Sequence, residues 1–207
     1  MKKPITTIIF VLFSILSGGC SAGCDHMQER PAGQSDVIAL ACDPIPVVRV
    51  GFIGLGMRGI GAVERFMHLD SVEVVALCDL EAENLARSQA VLREKAKPEA
   101  AEYMGPEGWK RLCERPDIDL VYISTDWLSH TPMAVYAMEQ GKHVAVEVPA
   151  AVTVEECWKL VDTAEKTRRH CMMLENCCYD FFELATLNMA QRGLFGEIVH
   201  VEGAYIH

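Results

Sequence analysis

The chain has 207 residues, half of them hydrophobic, and carries a formal net charge of -10. This length suits one substantial domain with a packed core, or one and a half. The acidic balance argues against a nucleic-acid backbone as partner. The sequence contains no Cys-x-x-Cys pair with zinc-like spacing, so we predict no metal site.

The first 20 residues have the pattern of an export signal. A basic start precedes an apolar stretch over residues 5–16, which is too short for a membrane span, and small residues then lead to Cys20. This order is typical of a bacterial lipoprotein signal with Cys20 as the lipidated residue. Cys24 as that residue and a plain cleaved secretory signal are the alternatives. We therefore expect an exported protein, periplasmic or anchored to the membrane by lipid, with a linker over residues 21–46.

A glycine-rich turn follows the first buried strand of the domain. Residues 47–53 are mostly β-branched, and the sequence then continues Gly54-Leu-Gly56-Met-Arg-Gly59 into a helical pattern. In such a Gly-x-Gly-x-x-Gly turn, the first glycine allows the tight turn and the second lets a pyrophosphate approach the backbone. The third lets the helix pack close to its strand, with the helix N-terminus facing the phosphates.

A second strand ends in an acidic residue. Residues 72–79 form an apolar run that ends at Asp79, 20 residues after Gly59. A carboxylate at this distance binds the ribose hydroxyls of NAD and repels the 2′-phosphate of NADP. The alternative is a plain buried strand–turn–helix with an incidental aspartate. Taken together, the glycines and Asp79 predict a dinucleotide site.

Strands and helices alternate along the rest of the chain, with short connections. We predict a surface helix over 81–97, a loop and then a short helix over 101–114, a strand over 118–125, a helix from Thr131-Pro132 to Gly141, a strand over 143–147, a helix over 153–169, a strand over 170–174, a helix over 180–192 and a strand over 197–206. This alternation predicts the α/β class, with a doubly wound parallel sheet of the Rossmann type over residues 47–193.

Candidate polar residues follow the ends of several predicted strands. In a doubly wound sheet, ligands bind beyond the C-terminal strand ends, so these residues should meet along one edge. They are the glycine turn, Asp79, residues 126–130, Glu147 and residues 176–179.

The chain resembles the glucose–fructose oxidoreductase, inositol dehydrogenase and rhizopine-catabolism superfamily of NAD(P)-dependent enzymes. The resemblance covers Val47 to His207 and depends on the glycine turn, Asp79 and the segments at 117–125, 130, 141–149 and 196–200. It implies that residues 194–207 are the first strand of a C-terminal α+β domain. In this superfamily that domain provides most of the sugar pocket and commonly the interface of a homo-oligomer.

One departure from the superfamily pattern makes the chain resemble a particular branch of the superfamily. Most of its dehydrogenases have Glu-Lys-Pro where this chain has Glu147-Val148-Pro149. Their lysine lies near the nicotinamide and the hydroxyl being oxidised, so Val148 disfavours ordinary dehydrogenase chemistry. Together with residues 175–180 and 203–207, this segment resembles the branch classed as glycoside hydrolase family 109, which is α-N-acetylgalactosaminidase-like.

The resemblance implies a redox-assisted glycosidase. NAD takes hydride from C3 of the sugar, which acidifies the C2 proton; a base removes that proton, the aglycone leaves, water adds and the hydride returns. Because most of the second domain is absent, we expect this chain alone to bind NAD weakly and to lack activity. A conventional NAD-dependent sugar dehydrogenase and a non-catalytic nucleotide-binding module are the alternatives.

The resemblance also assigns residues to the site. Met57 and Arg58 flank the pyrophosphate and Asp79 holds the adenosine ribose. The nicotinamide half is lined by Trp127, His130, Glu147, Val148 and Asn176. Tyr179 and Tyr205 are the candidates for sugar contact or proton transfer, because a phenol can act as acid or base beside a cationic neighbour.

For four of these residues, a purely structural role is the alternative to a functional one. Arg58 could be a solvated surface charge, His130 could only fix its loop, Tyr179 could be a core aromatic, and Tyr205 could face either side of a strand. Glu147 ends a buried strand, where a carboxylate without a partner is costly, and this favours a functional role.

Overall fold

The structure, a computed structural model, describes residue 30 and residues 33–203. The chain divides into two compact units, one ending at Ser35 and the other beginning at Asp36. In the described part of the first unit, Gly33 lies in a turn with φ +86°. The export signal with Cys20, and Tyr205, lie outside the described residues.

The second unit contains one six-stranded sheet in which all paired strands are parallel. Its strands, in chain order, are β1 Val48–Ile53, β2 Val72–Asp79, β3 Ala101–Met104, β4 Leu120–Ile123, β5 His143–Val146 and β6 Cys171–Met173. They lie in the order β3-β2-β1-β4-β5-β6. This is the order of a doubly wound Rossmann sheet and confirms the predicted fold class.

Six α-helices accompany the sheet in the described part of this unit. They are α1 Met57–Phe66, α2 Ala82–Glu94, α3 Gly108–Cys113, α4 Trp127–Glu139, α5 Val154–Thr167 and α6 Phe181–Gln191, with a 3-10 helix at Asn176–Tyr179 before α6. Among the described residues, no helix is both long and apolar enough to cross a membrane.

The hydrophobic core has two layers, one on each face of the sheet. Successive strand residues point to opposite faces, so Phe52 packs in the layer that contains α1 and α2, whereas Ile53 packs in the layer that contains α3, α4 and α5. Tyr122 and Ile123 of β4 divide in the same way.

The loop predicted from residue 101 is wrong, because Ala101–Met104 forms β3 beside the end of β2. This edge strand is mostly exposed and therefore lacks the apolar run of a buried strand. The start of β3 is held by Gln89, the residue that interrupts the apolar face of α2. The Gln89 Nε2 donates to the Ala100 carbonyl over 2.7 Å, and the Ala100 N–H donates to Gln89 Oε1 over 3.1 Å.

The start predicted for the helix at Thr131-Pro132 is also wrong. Helix α4 begins at Trp127, because the Asp126 carboxylate caps it by accepting from the N–H groups of Leu128 at 3.1 Å and Ser129 at 3.2 Å. Pro132 lies inside the helix, where it removes one backbone donor. The helix therefore begins close to the carboxyl end of β4, only a few residues after the strand.

The strand predicted over 197–206 does not form in its described part. Residues 197–203 are exposed and contain no strand. A strand needs a neighbour for its backbone N–H and C=O groups, and none of the described residues pairs with this segment.

The segment at 36–46, predicted as part of the linker, contacts the domain. Val37 packs against the core layer of α3, α4 and α5, and the Arg168 guanidinium donates to the Asp36 carbonyl over 2.9 Å. The compact unit accordingly begins before β1.

Candidate functional site

The glycine turn is packed too tightly for side chains at two of its three glycines. Gly54 has φ +85°, and a Cβ there would lie 2.4 Å from the carbonyl oxygen of Ser124. A Cβ on Gly59 would lie 2.0 Å from the carbonyl oxygen of Gly54. The Ser124 hydroxyl donates to that same Gly54 oxygen over 2.8 Å. The turn is therefore held firmly against the end of β4.

Gly56 differs from the other two, because a Cβ on it would meet no protein atom within 4 Å. It is the N-cap of α1, which has no side-chain cap and no acidic residue in its first turn. The N–H groups of a first helical turn have no intrahelical acceptor and carry the positive end of the helix dipole. The turn thus presents bare backbone and open space to a phosphate.

Asp79 lies at the end of β2, directly beside this turn. Its Oδ2 accepts from the Leu55 N–H over 2.6 Å, and its Oδ1 accepts from the Glu81 N–H over 2.9 Å and the Asn84 Nδ2 over 3.0 Å. A carboxylate has about four lone-pair positions, so one remains for a ribose hydroxyl. The carboxylate is therefore already oriented before any ligand binds.

A cavity of about 470 Å³ opens at this part of the sheet edge. Gly54, Gly56 and Asp79 line one side of it, and the loops after β3 and β4 line the other. Trp109 and Met133 give it apolar surface. An apolar pocket with a few fixed polar groups suits a nucleoside.

Glu147 follows β5 and is 5% exposed. Its Oε1 accepts from the Tyr122 hydroxyl over 2.6 Å and lies 3.0 Å from the Arg58 Nε. The pKa of the Tyr122 phenol is raised, mainly by burial and next by the hydrogen bond to Glu147. The phenol therefore stays protonated and is the donor in that bond. The Arg58 Nη2 in turn donates to Asn176 Oδ1 over 3.1 Å. The buried carboxylate thus has a cationic and a neutral partner on one oxygen, and Arg58 is more than a solvated surface charge.

A second cavity of about 410 Å³ contains this network. Arg58, Tyr122, Glu147, Asn176 and Tyr179 are among the residues that line it. Because Tyr179 is 63% exposed, its alternative as a core aromatic is wrong. A third cavity, of about 350 Å³ at the opposite end of β2, contains none of the predicted site residues.

His130 is 1% exposed and joins two loops of the site. Its Nδ1 lies 2.8 Å from the Pro149 carbonyl oxygen, and its Nε2 lies 3.1 Å from that of Thr125. These are the contacts expected of a residue that fixes its loop. On the same helix Trp127 is 64% exposed, and Val148 is half-buried after Glu147.

Tyr122, Ser124 and Asn84 belong to the site but were not predicted as site residues. Tyr122 lies within the apolar run of β4, and its hydroxyl finds Glu147 only because β4 and β5 are neighbours in the sheet. The available signal was chemical, since a buried tyrosine hydroxyl generally has a hydrogen-bond partner.

Residues 48–175 match the family described as an oxidoreductase family with an NAD-binding Rossmann fold. The chain is similar to an alpha-N-acetylgalactosaminidase of Bacteroides fragilis, with 66% identity over 178 residues, which are 86% of this chain and 42% of that protein. It is 63% identical over 179 residues to glycosyl hydrolase family 109 protein 1 of Bacteroides thetaiotaomicron, covering 86% of this chain and 38% of that protein. The chain therefore spans about two fifths of the length of these curated relatives.

The solved structures that resemble this fold include myo-inositol dehydrogenase from Lactobacillus casei in complex with NAD(H) and myo-inositol. The TM-score is 0.63 and the sequence identity 27%, over 72% of this chain and 43% of that one.

Proposed function

Because this chain belongs to the oxidoreductase family that has an NAD-binding Rossmann fold, we propose that it forms the cofactor half of an NAD-dependent α-N-acetylgalactosaminidase. The family and its NAD cofactor agree with the prediction from the sequence, as does the family 109 branch. The glycosidase activity and its glycoside substrate belong to the proposal, since the chain spans about two fifths of the relatives that carry these names.

Val148 is the observation that favours a glycosidase over a sugar dehydrogenase. It follows Glu147 after β5, at the position where most of the superfamily's dehydrogenases have a lysine, and its side chain has no proton to exchange. Lys142 cannot substitute, because it is buried at the other end of β5 and its amine donates to the Arg115 carbonyl. Among the described residues that line the two cavities, none is a lysine that could supply the amine of the ordinary dehydrogenase reaction.

The residues of the sheet edge fit NAD in two parts. Backbone N–H groups after Gly56 would receive the pyrophosphate, and Asp79 would hold the adenosine ribose in the larger cavity. Glu147 and Asn176 would contact the nicotinamide half in the second cavity. When bound there, NAD supplies a reversible hydride acceptor for C3 of the sugar.

Tyr179 is the residue that we propose for proton transfer at C2 of the sugar. It is exposed at the mouth of the second cavity, which also contains the Arg58 cation. Its phenolate oxygen would take the C2 proton as the aglycone leaves C1, and the hydroxyl so formed would return a proton to C2 as water adds at C1. Tyr205, which lies outside the described residues, stays the second candidate for sugar contact or proton transfer.

Export and lipid anchoring at Cys20 belong to the same proposal. They rest on the pattern of the first 20 residues alone. Fractionation of cells that express the wild-type chain and a Cys20→Ser variant tests them. Loss of membrane association only in the variant supports a lipid anchor, whereas equal release of both proteins contradicts it.

The glycosidase proposal is tested by a chimera. The chain replaces the matching part of the Bacteroides fragilis relative, and the product is assayed with NAD and p-nitrophenyl α-N-acetylgalactosaminide in deuterated water. We expect p-nitrophenol release, deuterium at C2 of the sugar and no net NADH. A Tyr179→Phe variant should lose turnover, whereas Tyr136→Phe, at a tyrosine on α4 bonded to Glu114, should keep it.

Two outcomes would contradict this proposal. Net NADH formation would favour the sugar dehydrogenase, and NAD binding without turnover would favour the nucleotide-binding module.

A further inference from the structure

Arg58 lies in the first turn of α1, where the resemblance implies a pyrophosphate contact, yet its side chain contacts two protein groups. The Nε lies 3.0 Å from Glu147 Oε1, and the Nη2 donates to Asn176 Oδ1 over 3.1 Å. We propose that Arg58 is a positioning residue whose side chain holds Glu147 and Asn176 for the nicotinamide half of NAD. Only its backbone N–H would face the pyrophosphate. This inference rests on the placement of NAD given under the proposed function.

The geometry of the guanidinium supports this role. The Nε and Nη2 form one edge of its planar fork, and both are directed at acceptors that follow neighbouring strands. Glu147 follows β5 and Asn176 follows β6. A single side chain from the glycine turn therefore ties together the ends of three strands. A lysine ammonium is a single point charge without this planar fork.

The burial of the two charged side chains also supports a positioning role for Arg58. The Glu147 side chain is 7% exposed, whereas that of Arg58 is 51% exposed. The second contact of the same carboxylate oxygen is the neutral hydroxyl of Tyr122. Removing Arg58 would therefore leave a buried carboxylate without the cation that contacts it, which is much less favourable than losing an exposed ion pair. Asn176 would lose its donor in the same step.

We expect removal of the Arg58 guanidinium to affect the binding of the nicotinamide half of NAD only. Asp79 and the Gly56 backbone make no contact with the Arg58 guanidinium among the described side-chain hydrogen bonds and ion pairs. An Arg58→Met variant keeps the backbone N–H and much of the side-chain length. It should weaken binding where Glu147 and Asn176 act, and leave the adenosine and pyrophosphate contacts intact.

The test compares NAD with ADP-ribose, which has the adenosine and pyrophosphate but no nicotinamide. Calorimetric titration of the full chain should show NAD binding about tenfold weaker in Arg58→Met, with ADP-ribose changed less than about twofold. In a Glu147→Gln background, Arg58→Met should weaken NAD binding less than it does in the wild type, because no buried charge is then left without a partner and only the Asn176 contact is lost. If the methionine variant does not fold, Arg58→Lys is used, with an intermediate loss expected.

The Arg93–Glu99 ion pair provides a matched control. It joins the same residue types at 2.9 Å, on the surface, with both side chains more than half exposed. Arg93→Met and Glu99→Gln should leave both titrations unchanged.

Three results would overturn the inference. Equal losses for NAD and ADP-ribose in Arg58→Met would make the guanidinium a phosphate ligand. A lower melting temperature with unchanged binding would make the pair purely structural. Failure of the wild-type chain to bind either ligand would remove the cofactor site itself, and with it the proposed function.

Discussion

Substituting Gly59 by alanine tests how tightly the glycine turn is packed. A Cβ at this position would lie 2.0 Å from the Gly54 carbonyl oxygen and 2.8 Å from the Ser124 hydroxyl, where ordinary contacts begin at 3.4 Å. Both neighbours would have to move, and the nearer one is backbone. The Ser124 hydrogen bond to Gly54 would be lost with that movement.

The magnitude follows from three contributions. Overpacking costs about 1–3 kcal/mol, and the lost hydrogen bond about 1 kcal/mol. Alanine regains about 1 kcal/mol as the better helix former. The net loss of unfolding free energy is then about 1–3 kcal/mol, which lowers the melting temperature by about 2–12 °C in a domain of this size.

The assay is thermal unfolding followed by circular dichroism, with Gly61→Ala as the matched control on the same helix. A Cβ on Gly61 meets only the end of the flexible Arg65 side chain, at 3.4 Å. Alanine there should raise stability by about 0.5–1 kcal/mol. If Gly59→Ala melts at or above the temperature of Gly61→Ala, the close packing of the turn is refuted.

Two further predictions concern stability. Gln89→Leu should lower the unfolding free energy by about 2 kcal/mol in a denaturant titration, because it leaves the buried N–H and C=O of Ala100 unpaired; unchanged stability would mean that β3 does not need this anchor. Asp119→Asn should cost about 1 kcal/mol at pH 7, because it removes the ionic partner of Arg49. Hydrogen bonds from Arg49 hold the pKa of the Asp119 carboxyl below its usual range, so the stability difference between wild type and variant should shrink as the pH falls below about 4 and vanish beneath the lowered pKa; a difference independent of pH would contradict this.

Local sequence signals were sufficient for the central part of the site. The glycine spacing, the apolar runs of β1 and β2 and the acid at Asp79 each act through neighbouring residues, and alternation of strands and helices orders the rest of the sheet. The position of the glycine turn beside Asp79 can therefore be predicted without knowing any contact between residues far apart along the chain.

What the sequence did not indicate depends on partners far apart along the chain. Arg58 and Asn176 are 118 residues apart, and they meet because each follows the carboxyl end of a strand in the same parallel sheet. β3 is held by Gln89 from the preceding helix, and its own exposed residues give no apolar run. Proline is common in a first helical turn, so Pro132 predicts a later start for α4, whereas the cap is Asp126.

The central claim is that bare backbone at Gly56 receives the pyrophosphate of NAD. Gly56 has φ -62° and ψ -165°, which alanine also adopts, and a Cβ there meets no protein atom within 4 Å. It is a cleaner probe than Asp79, whose carboxylate also holds the turn together. The decisive measurement is calorimetric titration of NAD into the wild-type chain and into Gly56→Ala. We expect NAD to bind the wild type and to bind at least tenfold more weakly to a variant that melts within about 3 °C of it. Equal affinity in the two proteins would mean that the pyrophosphate does not lie against Gly56.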